Sequence, residues 1–399
     1  MKVLLIDVNY KNSSTGKIVH DLAHELISSG HQAKVLFGRG ENIDDDIALR
    51  VAPVWEVYFH VLMTRLTGLI GIYSYFSTRK LIKEIKKFKP DVVHLHELHG
   101  YYINYSQVIH FLKISNIPVV WTFHCEFAYT GKCGYAYDCE KWKTECSLCP
   151  QVKEYPSSLY FDFTQHMFNK KKRDFEEFHD LTIITPSEWL AKRVRQSFLS
   201  TYDIRVIHNG IDTKGVFYPR NIPKQGQLIK NVLAVAPDIM SERKGGEWVL
   251  ELAKRFAEDV QFTIVGVVGS VAEIPKNVIL VERTKNQNEL AEYYSKADLF
   301  VICSKRENFP TTCLEALSCG TPVVGFDEGG TAETAPDRLG HFVPFGDLDS
   351  LEVAIQDFFA GRSNIAPTQC RAYAESNYSK QAMYRNYFRL YSEIFNKED

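Results

Sequence analysis

The stretch from Leu299 to Phe326, LFVICSKRENFPTTCLEALSCGTPVVGF, leaves this chain few folds to adopt. Leu299–Cys303 is a short apolar run of the kind buried inside a parallel sheet. Ser304–Pro310 is polar and ends in proline, which is tolerated at a helix start. Thr311–Cys319 then places Leu314 and Leu317 on one helical face. Gly320 stands where a helix C-cap belongs, Pro322 blocks continuation, and Val323–Phe326 is the next strand. The spacing predicts a βαβ unit whose helix N-terminus faces the carboxyl ends of its strands. Unpaired N–H groups there suit a diphosphate, and the ligand crevice of an open parallel sheet lies at that edge. Glu307 in the loop and Glu315 in the helix bracket the site. A phosphate would repel both, so hydroxyl groups are their natural partners. A diphosphate with a polyol at each end is a nucleotide-sugar. Two solvated carboxylates are the plainer alternative.

At 399 residues the chain is long enough for two or three domains. A net charge of -2 gives no case for a nucleic-acid partner. The opening MKVLLIDVNY reads as a first strand and not as a signal peptide. No apolar run reaches the roughly 18 residues that a transmembrane helix requires. Nine cysteines without a secretory signal argue for a reducing compartment, so a cytoplasmic location is expected.

The E-x7-E pair followed by C-G-T-P-V-V resembles the signature of retaining GT-B glycosyltransferases of family 4. Pro186-Ser187-x-Trp189, followed by Asn209-Gly210-Ile211-Asp212, matches that family's hinge. The segments W-T-x-H at Trp121–His124, T-G-x-C at Thr130–Cys133 and W-K-T-x-C-x-x-C-P at Trp142–Pro150 resemble colanic-acid and related exopolysaccharide transferases.

The resemblance implies an α/β chain of GT-B type: two Rossmann-like lobes with a cleft between them and a C-terminal helix crossing back to the first lobe. Residues 1–217 would form the acceptor lobe, with a cysteine-rich insertion at 125–150. Residues 218–378 would form the nucleotide-sugar lobe, entered through the proline- and polar-rich linker Tyr218–Leu228. Residues 379–399 would be the returning helix.

The resemblance also assigns roles. Glu307 contacts the donor sugar near the reacting centre and Glu315 holds the ribose hydroxyls. Lys244 grips the diphosphate. The family's companion arginine falls here on Ile239, which leaves Arg243 as its substitute. His124 corresponds to a strand-end histidine beside the donor sugar, although the acid that often follows it is replaced by Cys125. Gly16 is what remains of the family's glycine-rich loop. Phe309, Pro310, Thr311 and Thr312 line the donor, and Arg283 is placed in the base pocket.

The reaction so implied is transfer from a nucleoside-diphosphate-sugar to a hydroxyl of a glycan or lipid-linked saccharide, in bacterial surface polysaccharide synthesis. Retention would come from front-face attack, the donor's own phosphate taking the acceptor proton, with neither a catalytic cofactor nor a catalytic metal. A GT-B epimerase or phosphorylase, and a non-catalytic two-lobed sugar-binding module, are the alternatives. The acidic stretches Asp44–Asp46 and Asp347–Asp349 read as solvated loops.

Two further features stand apart. Cys133, Cys139, Cys146 and Cys149 are spaced C-x5-C-x6-C-x2-C, and four thiols in so short a span can wrap one tetrahedral structural Zn²⁺. Free buried thiols are the other reading. Val51–Phe76 is aromatic-rich and is followed by a predicted basic helix over Thr78–Phe88. Apolar aromatic surface beside a basic helix suits peripheral contact with the cytoplasmic face of the inner membrane, and equally an insertion packed on the sheet.

Overall fold

The computed structural model describes residues 1–41, 43–221, 229–336, 338–363 and 365–396. The chain divides into two compact units, Met1–Ile207 with Tyr384–Asp399, and His208–Met383.

In the first unit seven strands form one all-parallel sheet: β1 (Lys2–Asp7), β2 (Gln32–Phe37), β3 (Ala48–Arg50), β4 (Val92–Leu95), β5 (Val119–Thr122), β6 (Leu181–Thr185) and β7 (Asp203–Val206). Their order is β3-β2-β1-β4-β5-β6-β7. The central strands are short apolar runs buried from end to end, as strands covered on both faces must be. The covering helices are α1 (Ser14–Ser28), α2 (Val54–Thr67), α3 (Tyr75–Phe88), α4 (Tyr105–Ile114), α5 (Thr164–Phe175) and α6 (Glu188–Arg195). Ser13 caps α1 by accepting from Gly16 N–H, and Ser187 caps α6 by accepting from Leu190 N–H.

The second unit repeats the plan. Its strands are β8 (Lys230–Val235), β9 (Val260–Val265), β10 (Val278–Val281), β11 (Leu299–Ile302), β12 (Val323–Phe326) and β13 (Gly340–Val343). They are all parallel, in the order β10-β9-β8-β11-β12-β13. The helices are α7 (Gly246–Ala253), α8 (Gln287–Lys296), α9 (Thr311–Ser318), α10 (Leu348–Phe359) and α11 (Pro367–Tyr378). The final helix, α12 (Lys380–Phe395), begins in the second unit and belongs to the first from Tyr384 onward.

Both sheets reverse their winding once, between β1 and β4 and between β8 and β11. In an open parallel sheet the ligand crevice lies outside the carboxyl ends of the strands at that reversal. Each unit therefore carries one privileged position, and the loops after these four strands occupy it.

Three expectations need correcting. Residues 208–217 belong to the second unit, because Ile211 and Phe217 are buried in its core. The basic helix begins at Tyr75 and not at Thr78, because the buried Glu56 carboxylate accepts from the N–H groups of Phe76 and Ser77 and so caps the earlier turn. The acidic stretches are not merely solvated. Asp45 accepts from the Tyr10 hydroxyl at 2.7 Å and meets His24 at 3.2 Å. Asp347 caps α10 through Ser350 N–H, and Asp349 pairs with Arg255 at 2.6 Å. Part of the expected linker, residues 222–228, and the chain end, residues 397–399, lie outside the described residues.

Candidate active site

In the second unit the loop after β8 carries Arg243 and Lys244, and the loop after β11 carries Glu307. Lys244 Nζ lies 2.6 Å from Glu307 Oε1, and an Arg243 guanidinium nitrogen lies 3.1 Å from the same oxygen. Arg243 also donates to the Arg306 carbonyl at 3.2 Å, while Lys305 N–H donates to the Arg243 carbonyl at 2.9 Å. The two loops are thus stitched together by backbone as well as charge. Glu307 is buried, which by itself opposes ionisation, but the adjacent Lys244 and Arg243 outweigh burial and hold its carboxyl below the usual value.

Two glycines allow this approach. Gly245 has φ +73°, and a Cβ there would stand 2.1 Å from the Cys303 carbonyl oxygen just past β11. Gly329 has φ +70°, and its Cβ would stand 1.9 Å from the Glu307 carbonyl oxygen. Neither place admits a side chain.

Helix α9 starts immediately after this loop. Pro310 is its N-cap in an extended conformation, with no side-chain capping bond, so Thr311 and Thr312 open the first turn. Phe309 is buried and stacks on His208, with centroids 4.7 Å apart, and its carbonyl accepts from Asn209. Glu315, on the next turn of α9, accepts from the buried Tyr294 hydroxyl at 3.0 Å. A core tyrosine therefore holds the second glutamate of the pair, a contact that the sequence did not disclose.

Arg283 does not join this group. It is exposed after β10, an edge strand two places from β8, or about 10 Å at the usual strand spacing.

The first unit has its own cluster at the β1/β4 reversal. His124, following β5, lies with Nε2 3.0 Å from His96 Nδ1, the two rings being nearly parallel. Behind them His94 bonds through Nε2 to the Thr122 hydroxyl at 2.8 Å. Burial lowers the pKa of all three imidazoles, His94 to about 3, which keeps them neutral. Glu97 is paired with His99 and accepts from the Cys125 thiol. Burial opposes its ionisation, and the His99 partner more than offsets it.

Asp7 was missed. It ends β1, is fully buried, and accepts from Glu97 N–H at 3.0 Å and from the Thr15 hydroxyl at 3.2 Å. Burial and the nearby Glu97 push its carboxyl up to about 7. A carboxylate closing an apolar strand was the available signal. Gly16 lies on the first turn of α1, where a Cβ would meet the Ser13 hydroxyl at 2.9 Å and backbone atoms of Lys11 and Asn9. It lets the Asp7-to-Gly16 loop fold tightly over the strand end.

Cys133, Cys139, Cys146 and Cys149 line one small cavity of about 20 Å³ in the first unit, together with Lys132 and Trp142.

Comparisons with known proteins bear on the family and the fold. The model of Glycosyltransferase Family 4 matches residues 15–214, and that of Glycosyl transferases group 1 matches residues 230–377. The Escherichia coli (strain K12) protein named "Putative colanic acid biosynthesis glycosyl transferase WcaC" is 23% identical, over 99% of this chain and 100% of its own. The sucrose-phosphate synthase of Thermosynechococcus elongatus superposes with a TM-score of 0.69 at 19% identity, covering 99% of both chains. Anabaena HepE, solved in complex with UDP-glucose, superposes with a TM-score of 0.63 at 14% identity, covering 98% of this chain and 100% of its own. With one family model spanning half the chain and the other most of the remainder, and with two parallel sheets wound alike, this chain belongs to glycosyltransferase family 4 and is a glycosyltransferase of the GT-B fold.

Proposed function

We propose that this glycosyltransferase moves a sugar from a nucleoside-diphosphate-sugar to a hydroxyl of a glycan or lipid-linked saccharide, with retention of anomeric configuration, in surface polysaccharide synthesis. The observation that carries the reading is the convergence of Lys244 and Arg243 on one oxygen of Glu307 at the β8/β11 reversal. Two cations beside the N-terminus of α9 neutralise a departing diphosphate as the glycosidic bond breaks. Glu307, ionised and already fixed, accepts from donor-sugar hydroxyls. Glu315, oriented by Tyr294, accepts from the ribose hydroxyls. Phe309, Pro310, Thr311 and Thr312 frame the entry to α9.

Neither glutamate is asked to attack carbon. The acceptor hydroxyl adds on the face that the diphosphate leaves, and its proton passes to the departing phosphate oxygen. The acceptor is assigned to the first unit, and neutral His124 orients the sugar by donating or accepting a hydrogen bond without adding charge. The UDP-glucose complex of HepE and the colanic acid assignment of WcaC support a nucleotide-sugar donor and an exopolysaccharide product, through likeness of fold and sequence.

A lipid-linked acceptor is favoured by one further observation. Helix α2 is turned inside out: Glu56, His60 and Thr64 are buried, while Trp55, Tyr58, Phe59 and Leu62 are exposed by 58, 70, 46 and 54%. The neighbouring α3 exposes Arg79, Lys80, Lys83, Lys86 and Lys87. An apolar face beside cations suits an anionic bilayer surface. Among the described residues no helix is long and apolar enough to cross a membrane.

The test is incubation of the purified protein with UDP-, GDP- and ADP-sugars, read first as thermal shift and then as product anomeric configuration by NMR. One donor should raise the melting temperature and yield a product that keeps the donor's configuration. An inverted product refutes retention. Epimerised free sugar nucleotide, or tight binding without transfer to any acceptor, refutes transfer itself.

A further inference from the structure

We infer that Cys133, Cys139, Cys146 and Cys149 bind one Zn²⁺ as a four-thiolate site that fixes the segment between His124 and α5. The need is physical. That segment spans residues 125–163 and contains only two single 3-10 turns, at Phe127–Tyr129 and Lys141–Lys143. So long an irregular segment needs a cross-link of some kind to hold one shape.

The four thiols already share one cavity, with Cys133 and Cys149 close enough to influence each other. Gly131 N–H donates to Cys146 Sγ at 3.3 Å, the kind of outer-shell contact that orients a metal ligand.

An independent observation concerns charge. Lys132 and Lys171 are 3% and 1% exposed. Lys132 Nζ donates to the carbonyls of Gln151, Val152 and Glu154 at 2.9, 2.6 and 3.0 Å. Lys171 Nζ donates to the carbonyls of Phe127 and Thr130. Among the described residues, neither ammonium forms an ion pair with a carboxylate. A buried ammonium without a carboxylate partner is costly to keep charged, and an anion nearby offsets that cost. Zinc held by four thiolates carries two negative charges, which matches two lysines. Assembly releases four thiol protons to solvent for each Zn²⁺ bound, and no redox step is involved.

The sulfurs are set wider than the finished site requires. Among the described residues no three of them lie within 4.8 Å of one another, whereas Zn–S bonds of about 2.3 Å place sulfurs roughly 3.8 Å apart. Metal binding therefore draws the loop inward around Trp142.

The experiment uses the full chain, purified under reducing conditions without chelator. Elemental analysis should find about one zinc per chain, and a mercurial thiol reagent should release it. Titration with Co²⁺ after zinc removal should give the charge-transfer and d–d bands of a tetrahedral tetrathiolate. Cys146→Ser and Cys149→Ser should lower bound zinc at least tenfold, while Cys319→Ser, in the second unit, should leave it unchanged. Lys171→Met should weaken zinc retention against a competing chelator without removing a ligand. If the cysteine variants do not fold, the wild-type Co²⁺ spectrum decides alone. Zinc below about one-tenth per chain together with no thiolate band, or a Cys133–Cys149 disulfide in the reduced protein, overturns the inference.

Discussion

The Tyr391 hydroxyl lies 2.6 Å from Nδ1 of His94, although 297 positions separate the two residues in the chain. Tyr387, one turn earlier on α12, reaches the Thr122 hydroxyl at 2.8 Å. The last helix thus satisfies polar groups on β4 and β5 in the heart of the first sheet. His94 is fully buried, so removing its partner strands a ring nitrogen. Such a loss costs about 1–3 kcal/mol. Tyr391→Phe should lower urea-unfolding stability by that amount while preserving the slope of the transition. An unchanged midpoint would show that α12 does not anchor the sheet.

Much of this was readable in advance, for definite reasons. The βαβ run at Leu299–Phe326 was legible because proline, glycine and a short apolar stretch punctuate it locally. Glu307 and Lys244 were legible because each sits in a loop at a strand's carboxyl end. What escaped were pairings across the chain. Nothing near Glu315 in sequence points to Tyr294, and nothing near Asp7 points to Glu97. Strand order, which puts β10 and the loop of Arg283 at the sheet edge, is not written in any local pattern either. Helix α11 was also missed, since its face against the core is carried by Cys370, Ala374 and Tyr378 and not by a run of leucines.

Lys244 and Glu307 make separable predictions for activity. On the proposed mechanism Lys244→Ala removes a cation from the leaving diphosphate and should lower kcat/KM about 100-fold or more, in line with the loss of one transition-state donor. Glu307→Gln keeps the shape but removes the charge, and should lower kcat more than it raises KM for the donor. Transfer at wild-type rate by either variant would displace this cluster from the chemistry.

The same carboxylate sets a pH dependence. Its folded pKa lies below the ordinary 4.5. Its contribution to stability is therefore complete above that value and is lost as pH falls below it. The difference in melting temperature between wild type and Glu307→Gln should be constant from pH 6 upward and shrink below about 4.5. A difference independent of pH would mean that the ion pair contributes nothing.

Asp7 should behave in the opposite sense. Its pKa rises on folding from 3.8 to about 7. Between those values the folded state binds a proton that the unfolded chain does not. Stability contributed by this group therefore falls as pH rises through that window and is flat above it. Asp7→Asn cannot titrate, so its stability relative to wild type should improve from pH 5 to pH 8. Paired thermal melts at the two pH values test this, and a parallel response would refute it.

Gly245 offers the sharpest contrast between backbone strain and steric collision. Gly30 has φ +83° with nothing within 4 Å of an added Cβ, so Gly30→Ala tests left-handed strain alone. That strain is worth about 1–2 kcal/mol. Gly245 has φ +73°, but its Cβ would meet the Cys303 carbonyl oxygen at 2.1 Å, which backbone cannot evade without moving. Cys303 directly follows β11 and leads into the loop that carries Glu307, so the displacement passes to the carboxylate. Gly245→Ala should therefore destabilise more than Gly30→Ala and also weaken the thermal shift given by the donor nucleotide-sugar, whereas Gly30→Ala leaves that shift intact. Equal donor shifts in the two variants would show that the β8 and β11 loops are not mechanically coupled.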